Sequence, residues 1–196
     1  MTNPMAFLGR SFDQICFVVR DLDAAIDYWR RVNGVERWSK AYDLAKGQID
    51  KRYWGEPEDF QFSCAYGFAG GILIELAEHD GGRSVYKDWL DERGEAMHHV
   101  GFRLADAGEY DAALAHYAAL GMAEAMSGWF HAPGGNCKWT YLDTRSRIGC
   151  YTELYYVDGV ALEAFENFRD GKSDEFIPGA PSERVGPIVG TQRGSN

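Results

Sequence analysis

No stretch of the chain offers the unbroken run of ~18–20 apolar residues that a bilayer-spanning helix needs. Clusters of Lys and Arg are missing too. Twenty basic residues face thirty acidic ones, a formal charge of −10, so the electropositive footprint of a nucleic-acid binder is lacking. An anionic membrane surface would repel the chain for the same reason. The four cysteines, Cys16, Cys64, Cys137 and Cys150, are widely spaced and none falls in CxxC. That excludes a zinc knuckle or redox dithiol and leaves them as small apolar core or pocket residues. The opening residues, MTNPMAFLGRSFD, lack the basic-then-apolar build of a secretory signal. What is present is globular in proportion: 45% apolar and 26% charged over 196 residues. The expectation is a soluble, cytoplasmic protein of one ordinary domain, or of two half-size modules sharing a core.

The second alternative gains support from a repeat. Residues 12–19, FDQICFVV, and 97–104, MHHVGFRL, both read as strands. Each leads to an acidic residue, Asp21 or Asp106, placed to cap a helix. The helices are expected over 22–33, with Leu22, Ala25, Trp29 and Val32 on one face, and over 107–120, with Leu114, Tyr117, Ala118 and Leu120 along a similar stripe. Gly34 and Gly121 stand where left-handed caps belong. Downstream, 71–77 (GILIELA) and 149–155 (GCYTELY) are strands with one carboxylate in the middle. Intermediate strands are expected near 35–43, 60–68, 122–130 and 137–144. Each half thus reads strand–helix–strand–strand–strand: a first module over 10–80, a helical linker over 81–96 containing Ser84–Arg93, a second module over 97–157, and a C-terminal helix and tail over 158–196.

Strand parity adds chemistry. Alternate side chains point to opposite faces. Ile15, Phe17 and Val19 belong to a helix-packed face, which turns Gln14 and Cys16 the other way. By the same rule Glu75 opposes Ile72, Ile74 and Leu76. His99, Gly101 and Arg103 oppose His98, Val100, Phe102 and Leu104. Glu153 shares a side with Tyr151 and Tyr155. Gln14, Glu75, His99 and Glu153 therefore meet if the strands curve into one concavity. An amide, an imidazole and two carboxylates suit Zn, Ni, Co or Mn. The same parity also fits polar residues on a solvated outer sheet face.

The segments FDQICFVVRDLDAAIDYW (12–29), GILIELAEHDGGRSVYKDWLDERGEAMHHVGFRL (71–104) and YLDTRSRIGCYTELYY (141–156) together resemble the vicinal oxygen chelate superfamily, the glyoxalase/bleomycin-resistance/extradiol-dioxygenase group. The resemblance implies an α+β fold in which two tandem βαβββ modules form a cupped, curved mixed sheet around a metal site. It also implies that Gln14, Glu75, His99 and Glu153 are the ligands of one divalent ion, zinc first, with Ni, Co or Mn as alternatives. Many members carry His where this chain has Gln14, and that departure disfavours ring-cleaving dioxygenase and fosfomycin-resistance chemistry. The Gln/Glu/His/Glu set is similar to that of zinc-type glyoxalase I, whereas SVYKDWLDERGEAMHH looks more like the methylmalonyl-CoA epimerase branch.

Both branches imply a metal-dependent isomerase or lyase. A carboxylate removes a proton next to a carbonyl, and the ion stabilises the enediolate or enolate. Glu153 is expected to be the base and Glu75 the ligand or second base. Tyr151, Tyr155, Trp129, Trp139, His131 and Arg103 are expected in the substrate pocket, with Trp54 and Phe130 on or near its walls and 131–135 as a mobile loop at its mouth. His98 is expected in a hydrogen-bonded structural role. The partner is a small carbonyl or thioester substrate, and a homodimer is expected. Arg52, Arg103, Lys138 and Arg145 are the cations available to a glutathione or coenzyme A carrier. The competing class is a metal-free, ligand-sequestering protein of the bleomycin-resistance type.

Overall fold

The computed structural model describes residues 5–132 and 134–184. Pro133, in the expected mouth loop, and the expected tail beyond 184 lie outside the described residues. The first half runs α1 (Leu8–Ser11), β1 (Phe12–Val19), α2 (Leu22–Asn33), β2 (Trp38–Ala41), β3 (Gln48–Tyr53), β4 (Glu56–Pro57), β5 (Gln61–Ala69) and β6 (Ile72–Gly81). Helix α3 (Val85–Arg93) follows. The second half runs β7 (Ala96–Leu104), α4 (Ala107–Ala119), β8 (Glu124–Ala132), β9 (Gly135–Leu142), α5 (Arg145–Ile148) and β10 (Tyr151–Val157), with α6 (Gly159–Arg169) after it. Among the described residues no helix is long and apolar enough to cross a membrane.

Local chemistry explains the helix starts. The Asp21 carboxylate accepts from the Ala24 amide at 2.9 Å, and Asp106 accepts from Glu109 at the same distance. Each satisfies an amide that the first helical turn leaves without a partner. Gly34 closes α2 at φ 69°. Ser84 caps α3 through the Lys87 amide. The buried faces differ in part from the expected stripes. Leu22 and Ile26 carry α2, while Val32 is 60% exposed; Tyr110 and Ala113 carry α4, while Ala118 and Leu120 are exposed. Of the expected stripes, Ala25 and Trp29 of α2 and Leu114 and Tyr117 of α4 pack half-buried against the clusters that hold those buried residues.

All ten strands form one sheet, in the order β2-β5-β6-β1-β7-β10-β9-β8-β3-β4. In each half the first strand lies parallel to the last, β1 on β6 and β7 on β10, and the halves join where β1 meets β7 antiparallel. The β3–β4 hairpin, absent from the sequence reading, leaves the first half and pairs with β8 at the far end. Its two-residue turn, Trp54–Gly55, holds positive φ at both positions, 50° and 83°, as tight hairpins require. The sheet curls. Ile15, Phe17, Ile74 and Leu76 face α2 in one apolar cluster; Leu104, Leu154 and Tyr156 face α4 in another. The largest cluster contains Cys16, Leu73, Trp139 and Tyr155 together with Tyr86 and Trp89 of α3. Val100, expected beside Phe102 and Leu104, packs against this third cluster.

Candidate metal centre

The four central strands, β6, β1, β7 and β10, each supply one polar side chain to the concave face. Register sets their positions: Cys16 lies opposite both Glu75 and His99, and Gly101 opposite both Gln14 and Glu153. Strands β6 and β10 stand three spacings apart, about 14 Å of flat sheet. Their carboxylates nevertheless meet on one amide, because the sheet curls. Gln14 Nε2 donates to Glu75 Oε2 at 2.7 Å and to Glu153 Oε2 at 3.0 Å, and lies 3.1 Å from His99 Nε2. His99 Nε2 is 3.2 Å from each carboxylate. All four residues are buried. Gly101 is what admits Gln14: a Cβ there would lie 2.8 Å from Gln14 Cβ.

These groups fit a divalent ion. A tetrahedral zinc site with bonds of about 2.0–2.1 Å spaces its donors by about 3.3–3.4 Å, close to the separations found. Two buried carboxylates demand compensating positive charge, and a half-turn of the Gln14 amide presents Oε1 where Nε2 now sits. Cys16, Glu75 and His99 also form a compact trio whose donor atoms lie within 4.8 Å of one another. Burial, and then the charge of Glu75, push the Cys16 thiol well up. In the metal-free chain Cys16 is therefore a neutral hydrogen-bond donor to Glu75; an ion that displaced the thiol proton would find its sulfur within reach of the Glu75 and His99 donors.

The two carboxylates differ. Burial pushes Glu75 up, but His99 and the thiols of Cys64 and Cys16 outweigh it, and the group ends below its usual range. Burial pushes Glu153 up as well; His99 opposes this, Glu75 and Asp13 reinforce it, and the group ends above its usual range. For His99, burial acts downward, but Glu153 and Glu75 win and raise it to about 9. Its other nitrogen, Nδ1, lies 3.0 Å from His98 Nδ1. Burial, then the charge of His99, hold His98 well below its ordinary value, so neutral His98 accepts and His99 donates. A register shift where Cys16 pairs with His99 and Phe17 with Met97 leaves His98 as the extra residue of a bulge. That bulge lets both imidazoles reach each other. Tyr141 lies against His99 with ring centroids 4.6 Å apart.

Above the cluster lies a cavity of ≈ 180 Å³. Trp139, Tyr155 and Phe130 line it, as does Gln48 of the inserted hairpin, whose Oε1 accepts from Trp139 Nε1 at 3.0 Å. Other expected pocket residues stand elsewhere. Tyr151 is buried against His98 and Trp89, with centroids 4.9 and 5.8 Å away. Trp129 and His131 pair with each other at 5.1 Å on the far face of β8; Gly128 and Phe130 take the near face, Gly128 because Trp139 occupies the space a Cβ would need. Trp54 sits in the hairpin turn. Arg103 is bound to Asp13 at 2.8 Å and lies over Phe165. Sequence reasoning missed Tyr66, Tyr86 and Phe176 in the walls, and the two thiols behind Glu75. Only Cys16 carried a signal, its shared parity with Gln14.

No curated protein matches the chain in sequence. Among solved structures, a hypothetical protein of Bacillus halodurans is similar at TM-score 0.52 and 15% identity, covering 74% of this chain and 92% of its own. Methylmalonyl-CoA epimerase of Mycobacterium tuberculosis is similar at TM-score 0.52 and 17% identity, with 80% and 92% covered. A Streptomyces coelicolor methylmalonyl-CoA epimerase variant, in complex with 2-nitronate-propionyl-CoA, gives 0.50 and 21%, with 74% and 96% covered. At these identities the likeness is one of fold. The family model of the Glyoxalase/Bleomycin resistance protein/Dioxygenase superfamily matches residues 13–141, and the chain belongs to that superfamily.

Proposed function

We propose that this protein is a divalent-metal-dependent isomerase or lyase that moves a proton next to a carbonyl, in the manner of glyoxalase I or an acyl-thioester epimerase. One observation carries the reading: a buried amide, imidazole and two carboxylates from four adjacent strands converge within 3.2 Å. Gln14, Glu75, His99 and Glu153 would hold the ion, with zinc the best match to the donor set. The bound ion supplies Lewis-acid stabilisation of the negative charge that grows on a carbonyl oxygen as the adjacent C–H is broken. The rest falls to the chain. Glu75, fastened by two thiols and His99, remains a ligand. Glu153, which lines the cavity and which burial pushes above its usual range in the metal-free chain, takes the proton and returns it, and is off the ion when it does so, since a cation lowers the proton affinity of a carboxylate bound to it. Opposite displacement of two neighbouring carboxylates is how one site separates an acid–base role from a charge-holding role. His98 holds the His99 ring by accepting from Nδ1, which keeps Nε2 on the cluster.

The test is metal analysis of the purified protein, followed by solvent-deuterium uptake into hydroxycarbonyl compounds. The expected result is one ion per chain and an exchange rate that Glu153→Gln lowers by about 10²–10⁴-fold. Absence of a stoichiometric divalent ion, or exchange untouched by the substitution, overturns the reading. The aromatic cavity favours one second reading, a ligand-sequestering protein. In that case Glu153→Gln leaves ligand affinity intact and no exchange is seen.

A further inference from the structure

The chain after β10 roofs the cup. Helix α6 brings Val160, Ala161 and Phe165 to the cavity. It lies so close to β9 that a Cβ on Gly135 would meet backbone atoms of Asp158, Val160 and Ala161 at 2.9 Å. Residues 170–184 then cross the rim beside β2. Arg37 Nη1 donates to the Ser173 carbonyl at 2.8 Å, the Phe176 amide donates to Ser39 Oγ at 2.8 Å, and the Tyr42 amide donates to the Pro181 carbonyl at 2.9 Å. Arg184 pairs with Asp80 at 3.2 Å and with Glu78. The Phe176 ring stacks on Tyr66 at 4.2 Å, and Phe176, Ile177 and Pro178 face inward. All of this roof lies outside residues 13–141, the part matched by the family model.

The lining is chemically one-sided. Of its 21 described residues nine are aromatic, and the only charged ones are Glu75 and Glu153 of the metal cluster. None of the four cations named for a carrier lines the cavity: Arg103 pairs with Asp13, Arg145 with Asp143 and, in an exposed pair, Arg52 with Asp50, and Lys138 lies over the Tyr110 ring. Phosphates and carboxylates bind tightly where Arg or Lys meets them, and burying them unpaired is costly. A cavity of ≈ 180 Å³ slightly exceeds the ~150 Å³ apolar cavity that accepts benzene. It holds one ring and a short oxygenated arm.

We infer that the substrate is a compact, uncharged carbonyl compound that bears an aromatic or alicyclic ring and a second oxygen next to the carbonyl. It is not a glutathione adduct or a coenzyme A thioester. The demand for the oxygen pair rests on the proposed metal chemistry; the demand for an uncharged ring rests on the walls and roof.

The test titrates zinc-loaded protein, its zinc content measured on the same sample, with α-hydroxyacetophenone, hydroxyacetone, acetyl-CoA and S-methylglutathione. Tryptophan fluorescence follows binding through Trp139, and calorimetry repeats the measurement. The ring-bearing ketone is expected to bind at least about tenfold more tightly than any of the other three, since a buried ring removes far more apolar area from water. Phe176→Ala is expected to weaken that ligand about tenfold and hydroxyacetone, which has no ring to lose contact, by less, with zinc content unchanged. Ile177→Lys is expected to improve acetyl-CoA binding by placing a cation in the roof. Equal or tighter binding of acetyl-CoA or S-methylglutathione by the unsubstituted protein overturns the inference, as does a Phe176→Ala protein that binds the ring-bearing ketone normally. A chain that takes up none of zinc, nickel, cobalt or manganese overturns the proposed function instead, and the metal measurement reads that separately.

Discussion

The two halves set Glu75 and Glu153 at the same register, one opposite Tyr66 and the other opposite Tyr141, and then surround them differently. Behind Glu75 stand Cys16 and Cys64, small neutral donors that grip the carboxylate. The places that answer to them in the second half are Gly101, which has no side chain, and Trp139, which lines the cavity. Gly101 gives its space to Gln14, and Trp139 gives Glu153 an apolar neighbour instead of a donor. A duplicated scaffold thus yields two carboxylates that share Gln14 and His99, one gripped in addition by two thiols and one without them, from equivalent positions. The difference lies in two side chains per half, not in the strands.

The sharpest way to break that comparison is to neutralise each carboxylate in turn. Glu75→Gln is expected to weaken zinc binding by about a hundredfold or more, the upper range for losing a group that orients or holds a metal ligand set. Glu153→Gln is expected to keep more of the metal and to lose proton exchange by about 10²–10⁴-fold. Competition with a chromophoric chelator reads the first effect and deuterium uptake the second. Identical behaviour of the two variants would mean the halves are functionally equal.

A smaller change removes the space rather than the charge. Gly101→Ala puts a Cβ 2.8 Å from Gln14 Cβ, and crowding of this kind in a packed core costs about 1–3 kcal/mol. Urea unfolding is expected to show that loss, with zinc affinity reduced about tenfold as Gln14 is pushed aside. Unchanged affinity would take Gln14 out of the ligand set.

Much of this was legible in the chain. Asp21 and Asp106 announced helix starts because capping is a local interaction, and parity put Gln14, Glu75, His99 and Glu153 on one face because a strand alternates whatever it pairs with. What could not be read depends on partners far along the chain. Strand β3 finds β8 in the other half, and nothing within residues 48–53 specifies that. Trp129 and Trp139 look equally suited to a pocket, but Gly128 opposite Trp139 decides which one turns in. His98 enters the site through a bulge, an irregularity that strict alternation cannot foresee. The roof arises from Phe176 meeting Tyr66, 110 positions apart, in a segment whose Gly, Pro and Ser content suggests an arm or a tail without saying where it lies.

The pH response separates the shared imidazole from the unequal carboxylates. In the metal-free protein His99 titrates at about 9, against ~6.5 for an unfolded histidine. The folded value is the higher, so its stabilising contribution is complete below about pH 6.5 and is lost as pH rises through 9. Zinc needs the neutral ring, so binding between those limits expels a proton. Calorimetry in buffers of different ionisation enthalpy is expected to find close to one proton released per ion near pH 7.5, falling toward none above 9. No release at neutral pH would place the positive charge of the metal-free cluster elsewhere.

The smallest expected effect tests the thiols. Cys16→Ala removes one donor from Glu75 and moves its carboxyl up toward Glu153, narrowing the difference between the halves. Zinc affinity is expected to fall by no more than about tenfold, the lower end for partners of metal ligands. Stability is expected to drop by about 1 kcal/mol for the small cavity left. Cys16→Ser keeps a hydroxyl donor at the same place, so it separates the two causes. If Ser restores affinity, the hydrogen bond to Glu75 is what mattered; if Ser behaves as Ala does, sulfur volume was the contribution, and the held state of Glu75 rests on Cys64 and His99 alone.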